Sequence, residues 1–426
     1  MVGDENYSDD YRLGAAEAAK RLGVKRATLY AYVSRGRLHR VVAADGRTSL
    51  FSAAEIEQMR LDNKVTSDGT VQAVISTSIT RVDDNGLLIR GQDLVAAVND
   101  GLPFGAAIDL LWETPPTEAG PHAWPTQGGF EPLPLADDGA GLDQLRILVA
   151  QASAADPLRF DLSPNVVRFA GRTMISAMIF GRLPSVAPPR VAGSSGLNDP
   201  WPLVGSTAAI DDESLVGDPM VMALWKRLSV QTPTSAKLAA LDAVLALLVD
   251  HGLAVSTLAA RVAASARADP YSVVSAAMGV IAGPLHGGAS AEVHEMLELA
   301  ERSRNAAEVV GSTRKRLGYY PGFGHIIYRS QDVRYGAAMA RLVAAWGADP
   351  RLVTVYQARD LIATKTNQFP NIDLAVGALT YLAGMRAGAG EIIMTIARTP
   401  GWLAHAMEEM DERPLRFRIK AKRSGG

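Results

Sequence analysis

Residues 283–288 read Gly-Pro-Leu-His-Gly-Gly and residues 321–325 read Pro-Gly-Phe-Gly-His, so His286 and His325 both lie in glycine-rich loops. Glycine lets the backbone approach a ligand closely and exposes main-chain N–H donors, at a cost in conformational entropy. A third stretch, Phe-Pro-Asn-Ile-Asp at residues 369–373, places Asp373 ahead of an apolar run. Each pattern alone also fits a structural role, a histidine satisfied within a tight loop or an aspartate helix cap. Their combination marks three candidate catalytic residues.

The composition predicts a soluble, mostly helical protein of several domains. The 426 residues correspond to about two to four domains. The chain is 48% hydrophobic and 21% charged, and its aromatic content of 6% favours helix packing over a β-sandwich or barrel. We therefore expect an all-α fold, with loops in the Pro/Gly-rich stretches 114–142 and 183–219. The predicted helices cover residues 144–154, 165–180, 235–248, 256–266 and 271–283.

The sequence also excludes several kinds of site. It contains no cysteine, which rules out disulfides, thiolate-bound metals and a thiol nucleophile. His294, followed by Glu295 and Glu298, has no third ligand at a suitable spacing, so we expect a surface helix there rather than a metal site. The acidic N-terminus is unlike a secretory signal, and uncharged apolar runs such as residues 273–285 are shorter than a membrane span. We expect a cytoplasmic protein with no membrane partner.

The N-terminal segment differs from the rest in charge. Residues 11–60 contain ten basic and four acidic side chains, within a chain of net charge −2. Residues 14–22 predict a short helix that ends at Gly23, and residues 24–35 predict a second helix with Leu29 facing inward and Lys25 and Arg26 exposed. Residues 41–51 predict a hairpin around Asp45-Gly46, and residues 52–55 have capping-box spacing for a third helix.

This order of elements resembles the winged helix–turn–helix of the MerR and excisionase families over roughly residues 11–62. The resemblance implies DNA binding, with the second helix in the major groove and arginines of the wing on phosphates. A helical appendage used for packing or oligomer contacts is the alternative. The basic excess is modest for a dedicated DNA-binding domain, so both remain open at this point.

The remaining chain resembles the citrate synthase family. Residues 283–288, 322–334 and 370–373 match the family's Gly-Pro-Leu-His-Gly-Gly, Gly-Phe-Gly-His and Pro-Asn-Val-Asp motifs in order. Further matches are Asp250-His251 with Ser256-Thr257, residues 397–405 (Ala-Arg-Thr-Pro-Gly-Trp-Leu-Ala-His), and Ile89-Arg90-Gly91. The resemblance extends over most of residues 65–420 but is poor between about 115 and 235.

The resemblance implies condensation of acetyl-CoA with oxaloacetate and hydrolysis of citryl-CoA to citrate and CoA, with no tightly bound cofactor and no metal. Asp373 would be the general base, His286 would donate a hydrogen bond to the enolate oxygen, and His325 would polarise the oxaloacetate carbonyl. Planar guanidinium groups bind carboxylates bidentately. The residues implied to bind substrates are His251, Arg334, Arg398 and Arg416 for oxaloacetate, and Gly322 and Arg329 for CoA.

The resemblance also implies a domain organisation and a homodimer. A winged helix–turn–helix domain (residues 1–62) would precede a large helical domain (63–287 and 385–426) and a small one (288–384) that closes over the substrates. Arg416 belongs to the family's C-terminal Arg-x-Arg segment, which reaches the neighbouring subunit's site, so a homodimer is expected. Ser256 would support the His286 loop.

Three departures from the family pattern bear on the substrate. Gly252 stands where the residue after the substrate histidine is usually acidic, Ala254 replaces an asparagine, and Leu374-Ala375 replaces an aromatic pair after the base. A few apolar side chains decide between acyl groups that differ by one methylene. Propionyl-CoA, giving 2-methylcitrate, is therefore an alternative donor. A DNA-binding regulator that uses a synthase-like body as a sensor is the alternative from another functional class.

Overall fold

The computed structural model describes residues 12–34, 38–43, 48–52, 55–56, 74–84, 86–117, 124, 141–181, 218–283, 286–366 and 368–418. The chain divides into two compact units, Met1–Ser76 and Thr77–Gly426. Most described residues are helical, which confirms the expected fold class, and each unit also contains a small three-stranded antiparallel sheet. Most of the two predicted Pro/Gly-rich loops lies outside the described residues.

The first unit has the predicted helix–turn–helix with a wing. Helix α1 spans Ala15–Leu22 and ends at Gly23, which has a φ of 66°, and α2 spans Arg26–Ser34. Leu29 is fully buried, whereas Lys25 and Arg26 are exposed, as predicted.

The wing of this unit forms a small sheet. Strands β2 (Val41–Val42) and β3 (Ser49–Ser52) pair on either side of the predicted turn, and β1 (Arg12–Gly14) pairs with the other edge of β3. The turn itself, and the third helix beyond Ile56, lie outside the described residues. The N–H of Glu55 does donate to Ser52 Oγ at 3.4 Å, the contact that capping-box spacing predicts.

The second unit begins with a β-meander and continues as helices around one core. The strands are β4 (Thr80–Asp83), β5 (Gly86–Ile89) and β6 (Gln92–Asp93). The helices are α3 (Leu94–Asn99), α4 (Phe104–Trp112), α5 (Gly141–Ala155), α6 (Pro164–Phe180), α7 (Pro219–Leu228), α8 (Ser235–Leu248), α9 (Val255–Ser265), α10 (Pro270–Ile281), α11 (Ala289–Ser303), α12 (Ala306–Leu317), α13 (Val333–Trp346), α14 (Arg351–Lys365), α15 (Ile372–Leu382) and α16 (Ala389–Met410). The five predicted helices correspond to α5, α6, α8, α9 and α10.

Helix α16 positions much of the site because almost all of its length is buried. Arg398, Trp402, His405 and Glu409 recur at intervals of three or four residues and therefore share one helix face. Their partners lie on α9 and in the preceding loop: Trp402 Nε1 donates to Ser256 Oγ at 3.2 Å, His405 contacts Asp250, and Glu409 accepts from Arg261. The sequence motif of residues 397–405 thus lies within α16, and its residues Arg398, Trp402 and His405 face the interior.

Helix α11 has an exposed face, as predicted for a surface helix, but His294 lies on its buried face. Only 2% of His294 is exposed, and its Nδ1 lies 2.9 Å from Thr380 Oγ1 on α15. The reason is that α11 packs along α15 through Ser290, Val293 and Leu297, which share the face of His294. Among the described residues there is no group of three or more His, Asp or Glu side chains that could hold a metal ion. No described helix has the length and apolarity required to cross a membrane.

Candidate active site

The glycine-rich motif of His325 and the motif of Asp373 are joined by backbone hydrogen bonds. The N–H of Asn371 donates to the Gly322 carbonyl at 2.9 Å, and the N–H of Gly324 donates to the Phe369 carbonyl at 2.8 Å. The Asn371 side chain donates to the Gly324 carbonyl and accepts from the N–H of Asp373, so it also caps α15. The loop with His325 and the start of the helix with Asp373 are therefore held as one piece.

Gly322 is required by this junction. Its φ is 78°, and a Cβ placed there would lie 2.9 Å from the Cβ of Leu374 and from Cγ2 of Val293. The residue therefore lets the His325 loop pack directly against α15. Its carbonyl is occupied by Asn371, so the structure gives Gly322 a packing role in addition to the CoA contact that the family resemblance implies.

His286 is held by a serine of α9, as the sequence predicts. Its Nε2 lies 2.8 Å from Ser256 Oγ, which also accepts from Trp402 Nε1. Burial, together with the positive charge of Arg398, lowers the pKa of His286 to about 4, so the ring is neutral at pH 7. Because Ser256 accepts from Trp402, its own hydroxyl proton is available for Nε2, which favours the tautomer with the proton on Nδ1.

His325 has the opposite tautomer. Its Nδ1 accepts from the backbone N–H groups of Ile327, at 3.0 Å, and Tyr328, at 3.3 Å. Burial lowers its pKa, with a contribution from the charge of Arg334, so the ring is neutral. A neutral imidazole that accepts at Nδ1 carries its proton on Nε2. His325 therefore presents one N–H donor.

Tyr328 links His325 to the predicted substrate histidine. The hydroxyl of Tyr328 lies 3.0 Å from His251 Nε2, and the rings of His251 and His325 are 5.0 Å apart between centroids. His251 is almost fully buried, and burial keeps its pKa well below the usual value. Sequence reasoning did not single out Tyr328, although its position three residues after His325 placed it within the matched segment.

Asp373 has the electrostatic properties of a base. Burial raises its pKa to about 6, against the opposing charges of Arg334 and Arg398. A carboxylate whose pKa lies close to neutrality is more basic than a solvated one, which suits it to abstract a weakly acidic proton. The backbone N–H of Asp373 is bonded to Asn371, which fixes the first turn of α15.

Arg398 is a buried cation with unused hydrogen-bonding capacity. Only 4% of the residue is exposed, and its Nε and Nη1 atoms have no hydrogen-bond partner among the described residues. Burial lowers its pKa to about 10. Its charge acts on the pKa values of His251, His286 and Asp373, so these side chains surround it. A buried guanidinium in this state is a strong binding point for a carboxylate.

Arg334 is already partly occupied. Its Nε and Nη2 atoms donate to Asp332 at 2.9 and 2.8 Å, and Asp332 also accepts from the N–H of Ile372. One edge of the guanidinium is thus committed to Asp332, which orients it relative to α15. Sequence reasoning missed Asp332, although a carboxylate two residues before a binding arginine is a signal that could have found it.

Two predicted residues lie apart from this group. The Arg416 guanidinium donates to Glu409 of the same chain at 2.7 and 2.6 Å. The Arg329 side chain is 89% exposed, and its backbone N–H donates to Asp84 in the β4–β5 turn. The structure therefore brings together His251, His286, His325, Arg334, Asp373 and Arg398, and it leaves Arg416 and Arg329 at a distance from them.

Comparison with known proteins assigns this arrangement to a family. Residues 142–419 match the model of the citrate synthase C-terminal domain. The chain belongs to the citrate synthase family. This confirms the resemblance and identifies an acyltransferase of the citrate synthase type. Residues 12–63 match a helix-turn-helix domain, which confirms the second resemblance at the level of the domain.

The sequence of this chain is moderately similar to those of individual members of the citrate synthase family. The chain is 28% identical to 2-methylcitrate synthase 1 of Corynebacterium glutamicum over 360 residues, which is 80% of this chain and 90% of that protein. It is 35% identical to the 2-methylcitrate synthase of Mycobacterium tuberculosis over 184 residues, 42% of this chain and 46% of that protein. The citrate synthase of Thermoplasma acidophilum, solved with carboxymethyl-CoA and oxaloacetate, has the same fold, with a TM-score of 0.63 and 19% identity over 85% of this chain and 96% of that one.

Proposed function

We propose that the Thr77–Gly426 unit condenses acetyl-CoA with oxaloacetate and hydrolyses the citryl-CoA formed to citrate and CoA. The observation that carries this proposal is the state of Arg398, a buried guanidinium with two unpartnered nitrogens. It lies among two neutral histidines and a carboxylate of raised pKa. That combination suits a dianionic electrophile that reacts with a carbon acid.

The condensation uses one acid–base group and two hydrogen-bond donors. Asp373 removes a proton from the methyl carbon of the thioester, and the Nδ1–H of His286 donates to the oxygen on which negative charge develops. The new carbon–carbon bond forms between that methyl carbon and the carbonyl carbon of oxaloacetate. The Nε2–H of His325 donates to the oxaloacetate carbonyl oxygen, which gains the charge and takes up the proton. Hydrolysis of the thioester then releases CoA.

Oxaloacetate is held by its two carboxylates. Arg398 supplies the unpartnered nitrogens, Arg334 supplies the guanidinium edge that Asp332 leaves open, and His251 adds a contact. In the dimer we propose, the partner's Arg416 completes the site. Arg329 and the backbone near Gly322 contact CoA, which binds as a cosubstrate; the proposal requires no tightly bound cofactor.

In the domain organisation proposed from the sequence, the site lies between a large and a small helical domain. Residues 63–287 and 385–426 form the large domain, and residues 288–384 form the small domain. Two contacts join the proposed domains, from Tyr328 to His251 and from the Arg329 N–H to Asp84. Closure around these contacts excludes water during condensation.

Propionyl-CoA is the second candidate donor, and 2-methylcitrate the corresponding product. The relatives named 2-methylcitrate synthase favour it. So does the replacement of the family's aromatic pair by Leu374 and Ala375, which are both fully buried next to Asp373. Smaller side chains at these positions leave volume for one more methylene, a difference worth about 1–3 kcal/mol.

Release of free CoA thiol tests both donors. The purified protein is assayed with oxaloacetate and either acetyl-CoA or propionyl-CoA. The variants Asp373→Asn and His286→Ala are assayed in the same way, and Lys315→Gln, on the exposed face of α12, is the control. Protein thiols give no background because the chain has no cysteine. Turnover that is lost in both site variants and kept in the control supports the synthase, and the ratio of kcat/KM values names the donor. No turnover with either donor in the folded protein would overturn the proposal.

DNA binding by the first unit is a second candidate function, favoured by its helix-turn-helix match. The exposed side chains of Lys25, Arg26 and Thr28 lie at the start of α2, the helix expected in the major groove. Binding to duplex DNA should weaken steeply with salt because counterions are released. Fluorescence anisotropy at two salt concentrations measures DNA binding by the parent and by Arg26→Gln. Binding that does not depend on salt, or no binding, would reject the DNA-binding function.

Mixing of subunits tests the proposed homodimer. Asp373→Asn and Arg416→Met are each inactive if one chain supplies the base and the other the arginine of a single site. After dissociation and reassociation, about one quarter of the sites in a random mixture would be intact. Recovered turnover supports the shared site, whereas a mixture as inactive as its components rejects it.

A further inference from the structure

A cavity of about 340 Å³ lies where α7 ends and where α5 and α16 begin. Its lining includes three basic side chains, Lys226, Arg227 and Arg386, and the first residue of α5, Gly141. The lining residues that the structure describes include no carboxylate. The volume is at the lower end of the range of about 300–1,000 Å³ for small-molecule sites.

Arg227 has no carboxylate partner among the described residues. Its Nη1 donates to the Met178 carbonyl, and its Nη2 is buried without a hydrogen-bond partner among the described residues. No carboxylate in the described part of the chain lies within ion-pair distance of it. Burial lowers the pKa of Arg227 to about 10. Arg227 is partly buried, and an unpartnered nitrogen of a partly desolvated guanidinium is unfavourable. An anion bound in the cavity would therefore stabilise it.

Arg398 provides an internal comparison. Of the arginines that the structure describes, Arg227 and Arg398 combine an unpartnered buried nitrogen with a pKa lowered by burial. Arg172 and Arg261 also have an unpartnered nitrogen, but each is paired with a carboxylate. The unpartnered buried nitrogen and lowered pKa that characterise Arg398, the proposed substrate arginine, therefore occur a second time at Arg227.

Two of the three helix ends at the cavity favour negative charge, whereas the C-terminus of α7 opposes it. Helices α5 and α16 both begin there, with 15 and 22 residues, and a helix N-terminus carries a partial positive charge. Lys226 adds an exposed cation, and Arg386 is a second exposed basic side chain that already has an interaction within the chain. Each of these first turns also has a carboxylate outside the lining: Glu391 on α16, and Asp143 on α5, which pairs with Arg146 at 2.7 Å.

We propose that this cavity binds a small oxyanion ligand, bearing phosphate or carboxylate groups, at a site distinct from the substrate site. Ala389 in its lining precedes Arg398 by nine residues of α16, about 14 Å along the axis at about 1.5 Å per residue. Arg227 would hold the anion through Nη2, and Lys226 would neutralise part of the remaining charge at the mouth.

Isothermal calorimetry on the full chain tests this with three probes: inorganic pyrophosphate, AMP and glutarate. Each is titrated into protein saturated with oxaloacetate, so that the substrate site is occupied. We compare the parent with Arg227→Met, with the exposed-site variants Lys226→Gln and Arg386→Gln, and with Lys315→Gln as a charge-matched control. Arg398→Met is titrated without oxaloacetate, and binding of a probe to this variant shows that the cavity is a site separate from the substrate site. This result does not depend on the proposed condensation.

At least one probe should bind the parent, and its identity distinguishes a phosphate from a carboxylate ligand. Loss of a charged hydrogen bond should weaken binding about tenfold or more in Arg227→Met, with smaller losses in Lys226→Gln and Arg386→Gln and none in Lys315→Gln or Arg398→Met. If Arg227→Met does not fold, the two exposed-site variants carry the test. The proposal is overturned by absence of binding, by equal loss in the control, or by binding that depends on Arg398 alone.

Discussion

The hydroxyl oxygen of Ser256 lies 2.8 Å from Nε2 of His286 and accepts the indole N–H of Trp402 at 3.2 Å. Three segments far apart in the chain thereby fix one imidazole. Since Ser256 occupies Nε2, the proton that faces a substrate is on Nδ1. The serine acts on the reaction through the histidine and is a positioning residue.

Ser256→Ala should lower kcat about ten- to a hundredfold, with a smaller effect on the KM for oxaloacetate, because loss of a supporting contact costs about this much at comparable sites. Ser265→Ala is a matched control, since Ser265 is a buried serine on the same helix that bonds only to the Val262 carbonyl in the described structure. Steady-state kinetics with the preferred acyl-CoA measures both. Equal losses in the two variants would show a general effect on α9 instead.

The pH dependence of turnover should follow Asp373. Its pKa is raised to about 6, and that of His286 is lowered to about 4. Asp373 must be ionised to accept a proton, so kcat/KM should fall as pH decreases through about 6, while His286 stays neutral throughout this range. A profile of kcat/KM between pH 5 and 8 measures this. A flat profile down to pH 5 would contradict the assignment.

Asp373→Asn should increase stability at pH 8 while abolishing turnover. The pKa of Asp373 in the folded chain exceeds its usual value of 3.8. The stability it contributes is therefore fully present below about pH 4 and is lost as pH rises through about 6. Asparagine removes the cost of the buried charge, a gain of about 3 kcal/mol at pH 8 that disappears near pH 4. Denaturant unfolding at both pH values measures it, and an equal effect at both would argue against a buried charge.

Ala254→Asn should stabilise the fold. Ala254 occupies the N-cap of α9 with a φ of −60° and a ψ of 161°, and it offers no side-chain acceptor. Asparagine is a preferred N-cap, so the gain should be about 0.5–2 kcal/mol. Thermal unfolding of Ala254→Asn is compared with that of Ala254→Leu, whose side chain cannot accept a hydrogen bond, so that the difference isolates the capping effect. Equal midpoints for the two variants would refute it.

Gly322→Ala and Gly336→Ala should have opposite effects. Alanine at residue 322 requires an unfavourable φ and approaches Leu374 and Val293 too closely, so stability should fall by about 1–3 kcal/mol. Gly336 lies in α13 with open space around its Cα, so alanine there should stabilise by about 0.5–1 kcal/mol. Denaturant unfolding compares them. Two changes of the same sign would contradict the packing account of Gly322.

The sequence by itself determined the helix–turn–helix with its wing, the five predicted helices, and the motifs on which the family depends. These follow from local chemistry: helical periodicity at Leu29, the αL cap at Gly23, and short motifs around His286, His325 and Asp373. The contact of Ser256 with His286 was also predicted, but from the family resemblance rather than from spacing.

The tertiary structure decided the properties that depend on distant partners. His294 is buried because α11 packs on α15, which its charged neighbours in sequence did not indicate. Tyr328 reaches His251, 77 residues earlier in the chain, and Asp332 accepts from the N–H of Ile372, 40 residues later. No local pattern specifies these contacts. The shifted pKa values of Asp373, Arg398 and Arg227 arise from burial, and burial is a property of the assembled core rather than of any one segment.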